Sequence, residues 1–544
     1  MTNKQLILKP FILFLFVFLL FGFIFQENCS FLKEQEDKSI NIMLSNSSLS
    51  KSIVCEWNQT WGGIEQDTGY AITLDSSNYI YITGLTNTGS SIDILLVKYD
   101  SNGVMKWSRT WGGNEDDCGW GIAVDSSNNI YIAGQTESFG AGSSDMLLVK
   151  YDGNGVFQWY RTWGDTAYEA GRAVAVDSSD DVYLAGGHDA YWTGADHMHL
   201  IKYNSSGVEL WSRTWGGTEW DRGWGVAVDS SDNMYFTGDT ESFGAGSSDM
   251  ILVKYNSAGE QLWNRTWGGT DGEGSTGVAL DSIDNVYLVG ATQSFGAGWV
   301  DMVLVKYNSS GAQQWNRTWG GIDFDVGWSI AVDPSNNIYL GGQTNNFGVG
   351  TYDMIVVKYD SSGIQQWNRT WGGSDKEVCW GLAVPSSNNV YLVGETMSFG
   401  AGSLDMVLVK YGPDIYKPII LINQPSQNEK FFEDLAPDYD ISIKEPNLNS
   451  IWYTIDGGLN NYTITQLSGT INQSAWDTSP YGFITFRFSA KDFVGNIGSS
   501  EVTVRKSEGP VIKGYDILTF TILIELITAV FLIYLMKKYR RYHQ

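Results

Sequence analysis

Residues 111–162 read WGGNEDDCGWGIAVDSSNNIYIAGQTESFGAGSSDMLLVKYDGNGVFQWYRT, and this unit recurs through the middle of the chain. The tripeptide Trp-Gly-Gly, once Trp-Gly-Asp, begins at Trp61, Trp111, Trp163, Trp215, Trp267, Trp319 and Trp371, spaced by 50 once and by 52 thereafter. A period of that length with no 3.6-residue pattern inside it signals an array of β units. The unit holds four strand candidates, at 119–125, 129–136, 146–151 and 156–162. Ser126-Ser127-Asn128, the long loop 137–145 and Asp152-Gly153-Asn154-Gly155 punctuate them with turn chemistry. Four antiparallel strands per repeat describe a propeller blade.

The first strand carries the packing argument. Positions +11 and +13 from the repeat tryptophan are branched aliphatics, such as Ile122/Val124 and Leu382/Val384, whereas +10 and +12 are small, such as Gly121/Ala123 and Gly381/Ala383. Strand side chains alternate faces, so one face is bulky and the other nearly flat, which suits blades pressed together around an axis. The last unit stops at Gly412-Pro413 after its third strand. Its missing fourth strand stands ahead of the array as CEWNQTW (55–61). The expectation is all-β: a seven-bladed β-propeller of four-stranded blades over 53–412, with residues 53–60 completing the last blade and hiding two edges.

The motifs AVDSSNNIYIAG (123–134), DMLLVKY (145–151) and Trp-x-Arg-Thr-Trp-Gly-Gly resemble the SBBP family of β-propeller repeats. The resemblance covers about 53–412, because all three motifs recur in register. It implies the propeller fold and a surface or secreted location, and carries no assigned chemistry.

The flanks set the expected topology. Lys4 and Lys9 precede an apolar run over 10–25, a signal peptide or signal-anchor within residues 1–26, followed by a linker at 27–52. A second apolar run predicts a transmembrane helix at 516–536, with Lys537, Lys538, Arg540 and Arg541 holding the tail, 537–544, in the cytoplasm. Glu525 lies inside that run. Between propeller and membrane, alternating stretches such as SIWYTI (450–455) and FITFRFS (483–489) predict a β-sandwich over 417–506, with 507–515 as a stalk. It resembles the Ig-like modules of prokaryotic surface proteins, and AKDFVGN (490–496) is like their late turn. Acidic and basic residues number 61 and 34, giving a net charge of −27. So acidic a surface repels phosphate backbones and argues against a nucleic-acid partner. Four cysteines exclude a disulfide scaffold.

Three patterns bear on chemistry. At +4 and +6 from the repeat tryptophan stand Glu65/Asp67, Glu115/Asp117, Glu219/Asp221, Asp271/Glu273, Asp323/Asp325 and Asp375/Glu377, with Glu169 alone in the third unit. Spacing of two along an extended chain points both carboxylates the same way, and their functional reading is a ring of oxygen ligands for Ca²⁺. The alternative is that they cap their own loops by accepting from backbone N–H groups. In the third unit His188, His197 and His199 cluster in sequence, and imidazoles on neighbouring strands suggest Zn²⁺. Phe139, Phe243, Phe295, Phe347 and Phe399 recur in the long loops, with Tyr191/Trp192 in the odd unit, and either stack on a partner or tuck under their own loops. Recurrent Lys-Tyr and Arg-Thr pairs read as side chains snorkelling over the rim. Ten Asn-x-Ser/Thr sequons include Asn46, Asn58, Asn204, Asn264, Asn308, Asn316, Asn368, Asn461 and Asn472, candidate glycan sites in a secreted context.

No nucleophile elbow, Walker loop or HExxH is present. The expectation is a non-catalytic, membrane-anchored surface protein that binds an extracellular protein or glycan through its long-loop face. A polysaccharide hydrolase or lyase using the acidic mouth, and a structural surface-layer role, are the alternatives.

Overall fold

The computed structural model describes residues 53–188, 196–386, 389–432, 435–445, 448–492, 494–509, 525–533 and 536. They fall into two compact units that divide between Asp414 and Ile415.

Seven four-stranded antiparallel sheets fill the first unit. The sheet of the quoted repeat pairs Asp117–Val124, Ile130–Thr136, Asp145–Tyr151 and Phe157–Trp163 in that order. The last sheet is built from both ends of the array. Glu377–Ser386, Asn389–Thr396 and Asp405–Pro413 are joined by Ile53–Trp61, with Trp61 opposite Met406 and Gln59 opposite Leu408.

Apolar cores lie between sheets. Tyr81, Ile94 and Leu96 of the first sheet pack with Ile130, Ile132 and Leu147 of the second. The same joint recurs along the chain and ends by linking last sheet to first: Val393, Met406 and Leu408 meet Ile72, Ile82 and Leu95, with Trp57 and Trp61 against them. Each such aliphatic side chain removed from water stabilises the fold by about 1.5–3 kcal/mol. The small residues of the innermost strands permit this closeness. A Cβ on Gly121 would stand 3.0 Å from the Ala173 Cα, and one on Gly381 would stand 3.1 Å from the Ala71 Cα.

Polar side chains staple the same joints. Arg109 Nε donates to the Gly155 carbonyl (2.9 Å), Arg265 Nε to Gly311 (2.7 Å), and Arg369 Nε to the Ile53 carbonyl (3.2 Å). Lys98 Nζ reaches the Gly153 carbonyl at 3.1 Å and Lys150 Nζ that of Ser205 at 2.8 Å. These lysines and arginines therefore do not snorkel over the rim as the sequence suggested; the Asx-x-x-Gly turns of the following sheet, and for Arg369 the start of Ile53–Trp61, offer them carbonyl acceptors. At the Ser-Ser-Asx turns, Asp180 adopts φ 62°, which a short Asx side chain tolerates, and accepts from Ser126 Oγ at 2.8 Å.

In the second unit, Ile419–Gln424, Asp438–Lys444 and Ser468–Thr470 form one sheet. Lys430–Phe432, Ile497–Ser507, Gly482–Asp492, Leu448–Thr454 and Tyr462–Ile464 form the other. One core serves both, centred on Trp476, Phe486, Phe488, Ile441 and Val504. A short helix, Gln473–Thr478, is capped by Asn472, which accepts from the Ala475 N–H at 3.0 Å. Asp492 accepts from the Gly495 and Asn496 N–H groups, closing the turn after the long strand.

The expected signal segment 1–26, linker 27–52 and tail 537–544 lie outside the described residues, as does most of the expected span 516–536. Residues 525–533 are helical, and no helix among the described residues is long and apolar enough to cross a membrane.

Candidate functional site: an aromatic belt at the axis

Every innermost strand carries a register shift at the same place, between Gly119 and Gly121 in the quoted repeat and at its equivalents elsewhere. The residue left out of pairing is Tyr70, Trp120, Arg172, Trp224, Thr276, Trp328 or Trp380. A β-bulge re-aims a side chain. Here seven bulges send seven side chains to one place, where they line a cavity of about 200 Å³ bounded by all seven innermost strands.

The belt is asymmetric. Trp328 and Trp380 centroids lie 4.7 Å apart, Trp380 and Tyr70 5.7 Å, and Tyr70 and Trp120 4.3 Å, so four rings form a continuous arc. Opposite them the Arg172 guanidinium lies 3.9 Å from the Trp224 ring centroid. Thr276 breaks the aromatic run and donates to the Gly327 carbonyl at 2.8 Å.

A layer of polar side chains orients the indoles. Trp120 Nε1 donates to Gln135 Oε1 (3.1 Å), Trp224 Nε1 to Asp239 Oδ1 (2.6 Å) and Trp328 Nε1 to Gln343 Oε1 (3.4 Å). In the last sheet the matching acceptor is Glu395, which is taken by Lys376 Nζ at 2.8 Å and Thr68 Oγ1 at 3.2 Å. Among the described residues, the Trp380 N–H is buried without a hydrogen-bond partner. Burial, and then the charge of Glu395, pushes the Tyr70 phenol up, so it stays neutral.

The long loops mark one end of this cavity. Four isolated parallel bridges, Ser144 with Tyr168 and Ser248 with Gly272 among them, tie long loops to the inter-sheet connections that follow. Each innermost strand begins at that end with the +6 carboxylate, and the bulge follows three residues later.

The structure separates the carboxylates that the sequence paired. Glu65, Glu115, Glu219, Asp271, Asp323 and Asp375 are exposed, whereas Asp67, Asp117, Glu169, Asp221, Glu273, Asp325 and Glu377 are buried. The shared direction expected from their spacing fails because the inner member turns back into its own loop. Asp67 accepts from the Gly63 N–H at 2.8 Å, Asp117 from Gly113 at 2.8 Å and Glu377 from Gly373 at 2.7 Å. The expected histidine cluster is likewise divided. His199 packs on Trp163 of the preceding sheet, at 4.6 Å between centroids, while His197 lies against Gly216 at the joint to the following one. The side chain of His188 lies outside the described residues, as do Tyr191 and Trp192. Among the described residues no three His, Cys, Asp or Glu side chains gather as a metal site.

The loop phenylalanines rest on the repeat tryptophans: Phe139 on Trp111, Phe243 on Trp215 and Phe399 on Trp371, each at 5.1–5.2 Å. Of the sequons, Asn204 and Asn308 use their side-chain oxygens to hold turns, and Asn461 is exposed. Sequence reading passed over the belt, although its signal was present: position +9 reads Tyr, Trp, Arg, Trp, Thr, Trp, Trp amid small residues.

Residues 106–139 match the SBBP family model, described as a beta-propeller repeat. Over 114 residues the chain is 27% identical to Regulatory protein FlaEY of Caulobacter vibrioides, covering 19% of this chain and 12% of that one. It is 22% identical over 281 residues to the uncharacterized WD repeat-containing protein L264 of Acanthamoeba polyphaga mimivirus, covering 40% and 19%. The chain thus spans less than a fifth of the length of either relative. The extracellular domain of the hybrid two component system BT3049 from B. thetaiotaomicron aligns at a TM-score of 0.40 and 14% identity, over 83% of this chain and 57% of that one. With its repeated four-stranded sheets and the matched repeat, the chain is a β-propeller repeat protein.

Proposed function

We propose that the chain is a surface-displayed binding protein whose head is a closed seven-bladed propeller. An Ig-like domain and a membrane anchor at 516–536 follow it along the chain, and a glycan is captured, without catalysis, at the long-loop end of the axis. The observation that carries this reading is the arc Trp328, Trp380, Tyr70 and Trp120, with the Trp380 N–H unpaired beside it. Sugar rings present apolar C–H faces that stack on aromatic rings, and hydroxyls that accept from an indole N–H.

The test is a glycan array on residues 53–506, repeated with Trp328→Ala and Trp380→Ala. The expected outcome is a defined set of bound glycans and at least tenfold weaker binding in both variants, with Tm unchanged. An ectodomain that binds no glycan and self-associates instead would overturn the reading in favour of a surface lattice. Cleavage of the bound chain would overturn its non-catalytic part.

A further inference from the structure

Four sequons fall on one column of the repeat, three residues before the Trp-Gly-Gly tryptophan: Asn58-Gln59-Thr60, Asn264-Arg265-Thr266, Asn316-Arg317-Thr318 and Asn368-Arg369-Thr370. All four asparagines lie on outermost strands, Ile53–Trp61, Gln261–Trp267, Gln313–Trp319 and Gln365–Trp371. Those strands belong to four consecutive sheets, the fourth to the seventh. The same column in the first three sheets reads Ser108, Tyr160 and Ser212.

The strand itself decides which way this column faces. Alternation sets Asn and Thr on one side and the flanking Trp and Arg on the other. The Trp/Arg side is committed to the next sheet: Arg265 and Arg317 donate to the Gly311 and Gly363 carbonyls. The four asparagines are exposed, and among the described residues no side-chain hydrogen bond holds them. Asn204 and Asn308 differ, since their side-chain oxygens each accept two backbone N–H groups.

We propose that the propeller rim is N-glycosylated along one arc, at Asn58, Asn264, Asn316 and Asn368, leaving the rim of the first three sheets bare. The co-substrate is a lipid-phosphate-linked oligosaccharide. The side-chain Nδ2 forms a bond to the anomeric carbon and loses a proton; the bond from that carbon to the carrier phosphate breaks, and the lipid phosphate leaves with the electron pair. The sequon hydroxyl two residues on, Thr60, Thr266, Thr318 or Thr370, stands on the same strand face as the acceptor. The inference rests on the surface-display reading, since the transfer takes place outside the cytoplasm.

The experiment uses the full chain isolated from its own cells. Site occupancy is read by mass spectrometry of proteolytic peptides, alongside labelling of intact cells with a membrane-impermeant amine reagent. Glycan on three or four of the four asparagines supports the proposal. Unmodified asparagine at two or more overturns it. The surface label separates the two failures: bare asparagines on a labelled protein sink the glycan arc alone, and bare asparagines on an unlabelled one sink the display reading as well. Asn264→Gln and Asn316→Gln abolish the sequons and lengthen only exposed side chains, so each is expected to shift electrophoretic mobility by one glycan and leave Tm unchanged.

Discussion

Asp145 and Glu169 turn their carboxylates toward one another across the joint between the second and third sheets, and they meet over Gly164. A Cβ on that glycine would stand 2.5 Å from Asp145 Oδ1 and 2.6 Å from Glu169 Oε2. The same encounter is repeated around the ring, between Asp93 and Asp117 over Gly112 and between Asp353 and Glu377 over Gly372. In one joint His197 takes the first carboxylate's place, facing Asp221 over Gly216. Two like charges brought out of water both favour protonation. Burial, then the charges of Asp165 and Asp145, pushes Glu169 up to about 7, and burial with Asp117 raises Asp93.

This pairing sets a direction for stability against pH. Because the folded value of Glu169 lies above its ordinary 4.5, its protonated form stabilises the fold. That stability is fully present below about 4.5 and is lost as pH rises through about 7. Glu169→Gln keeps an acceptor and removes the charge. It is expected to raise stability at pH 8 by about 1 kcal/mol, or ~2 °C in Tm, and to leave it unchanged at pH 4.5. Thermal unfolding at the two pH values checks this; equal shifts at both would refute the charge argument.

The two glycines of one repeat motif are predicted to behave oppositely. A Cβ on Gly62 would run into the Asp405 carboxylate and stand 2.8 Å from Asp67 Oδ2, whereas one on Gly63 would meet nothing within 4 Å. Gly62→Ala should therefore destabilise by about 1–3 kcal/mol, as overpacking does. Gly63→Ala should stay within about 0.5 kcal/mol, the range of surface substitutions, because its N–H still reaches Asp67. Chemical denaturation of the two variants decides it, and a Gly63→Ala loss equal to that of Gly62→Ala would show that the motif is conformational rather than steric.

Much of the fold was legible because a repeat reports its own register. The strands expected at 119–125 and 146–151 are found at Asp117–Val124 and Asp145–Tyr151, since alternation and Asx-Gly turns mark strand ends locally. The site was less legible. Spacing of two placed Glu115 and Asp117 together only on the assumption of an extended strand throughout, yet Asp117 opens the strand and folds back to the Gly113 N–H. Trp120 was hidden for a related reason. A bulge gives no period-2 signal, and only pairing across the sheet reveals that Trp120 is extruded toward the axis. Arg109 shows the same limit, since its acceptor at Gly155 lies 46 residues away.

Ring closure rests on Ile53–Trp61, and its removal is the most severe change predicted. The strand satisfies the backbone of Asp405–Pro413 from Ile53 opposite Pro413 to Trp61 opposite Met406. It also supplies Trp57 and Trp61 to the core between last and first sheets, an ion pair from Glu56 to Lys410 at 2.8 Å, and the carbonyl that receives Arg369. Deleting 53–61 should leave the edge of Asp405–Pro413 open to pairing with another chain. The expected outcome is a lower Tm together with concentration-dependent association in light scattering. Moving the same nine residues to follow Tyr411 through the turn sequence of 152–155 rebuilds the sheet in the order of its neighbours, and should restore both readings. A deletion that melts with the parent and stays monomeric would mean that the last sheet stands without its N-terminal strand, and the closed axis on which the aromatic belt depends would lose its support.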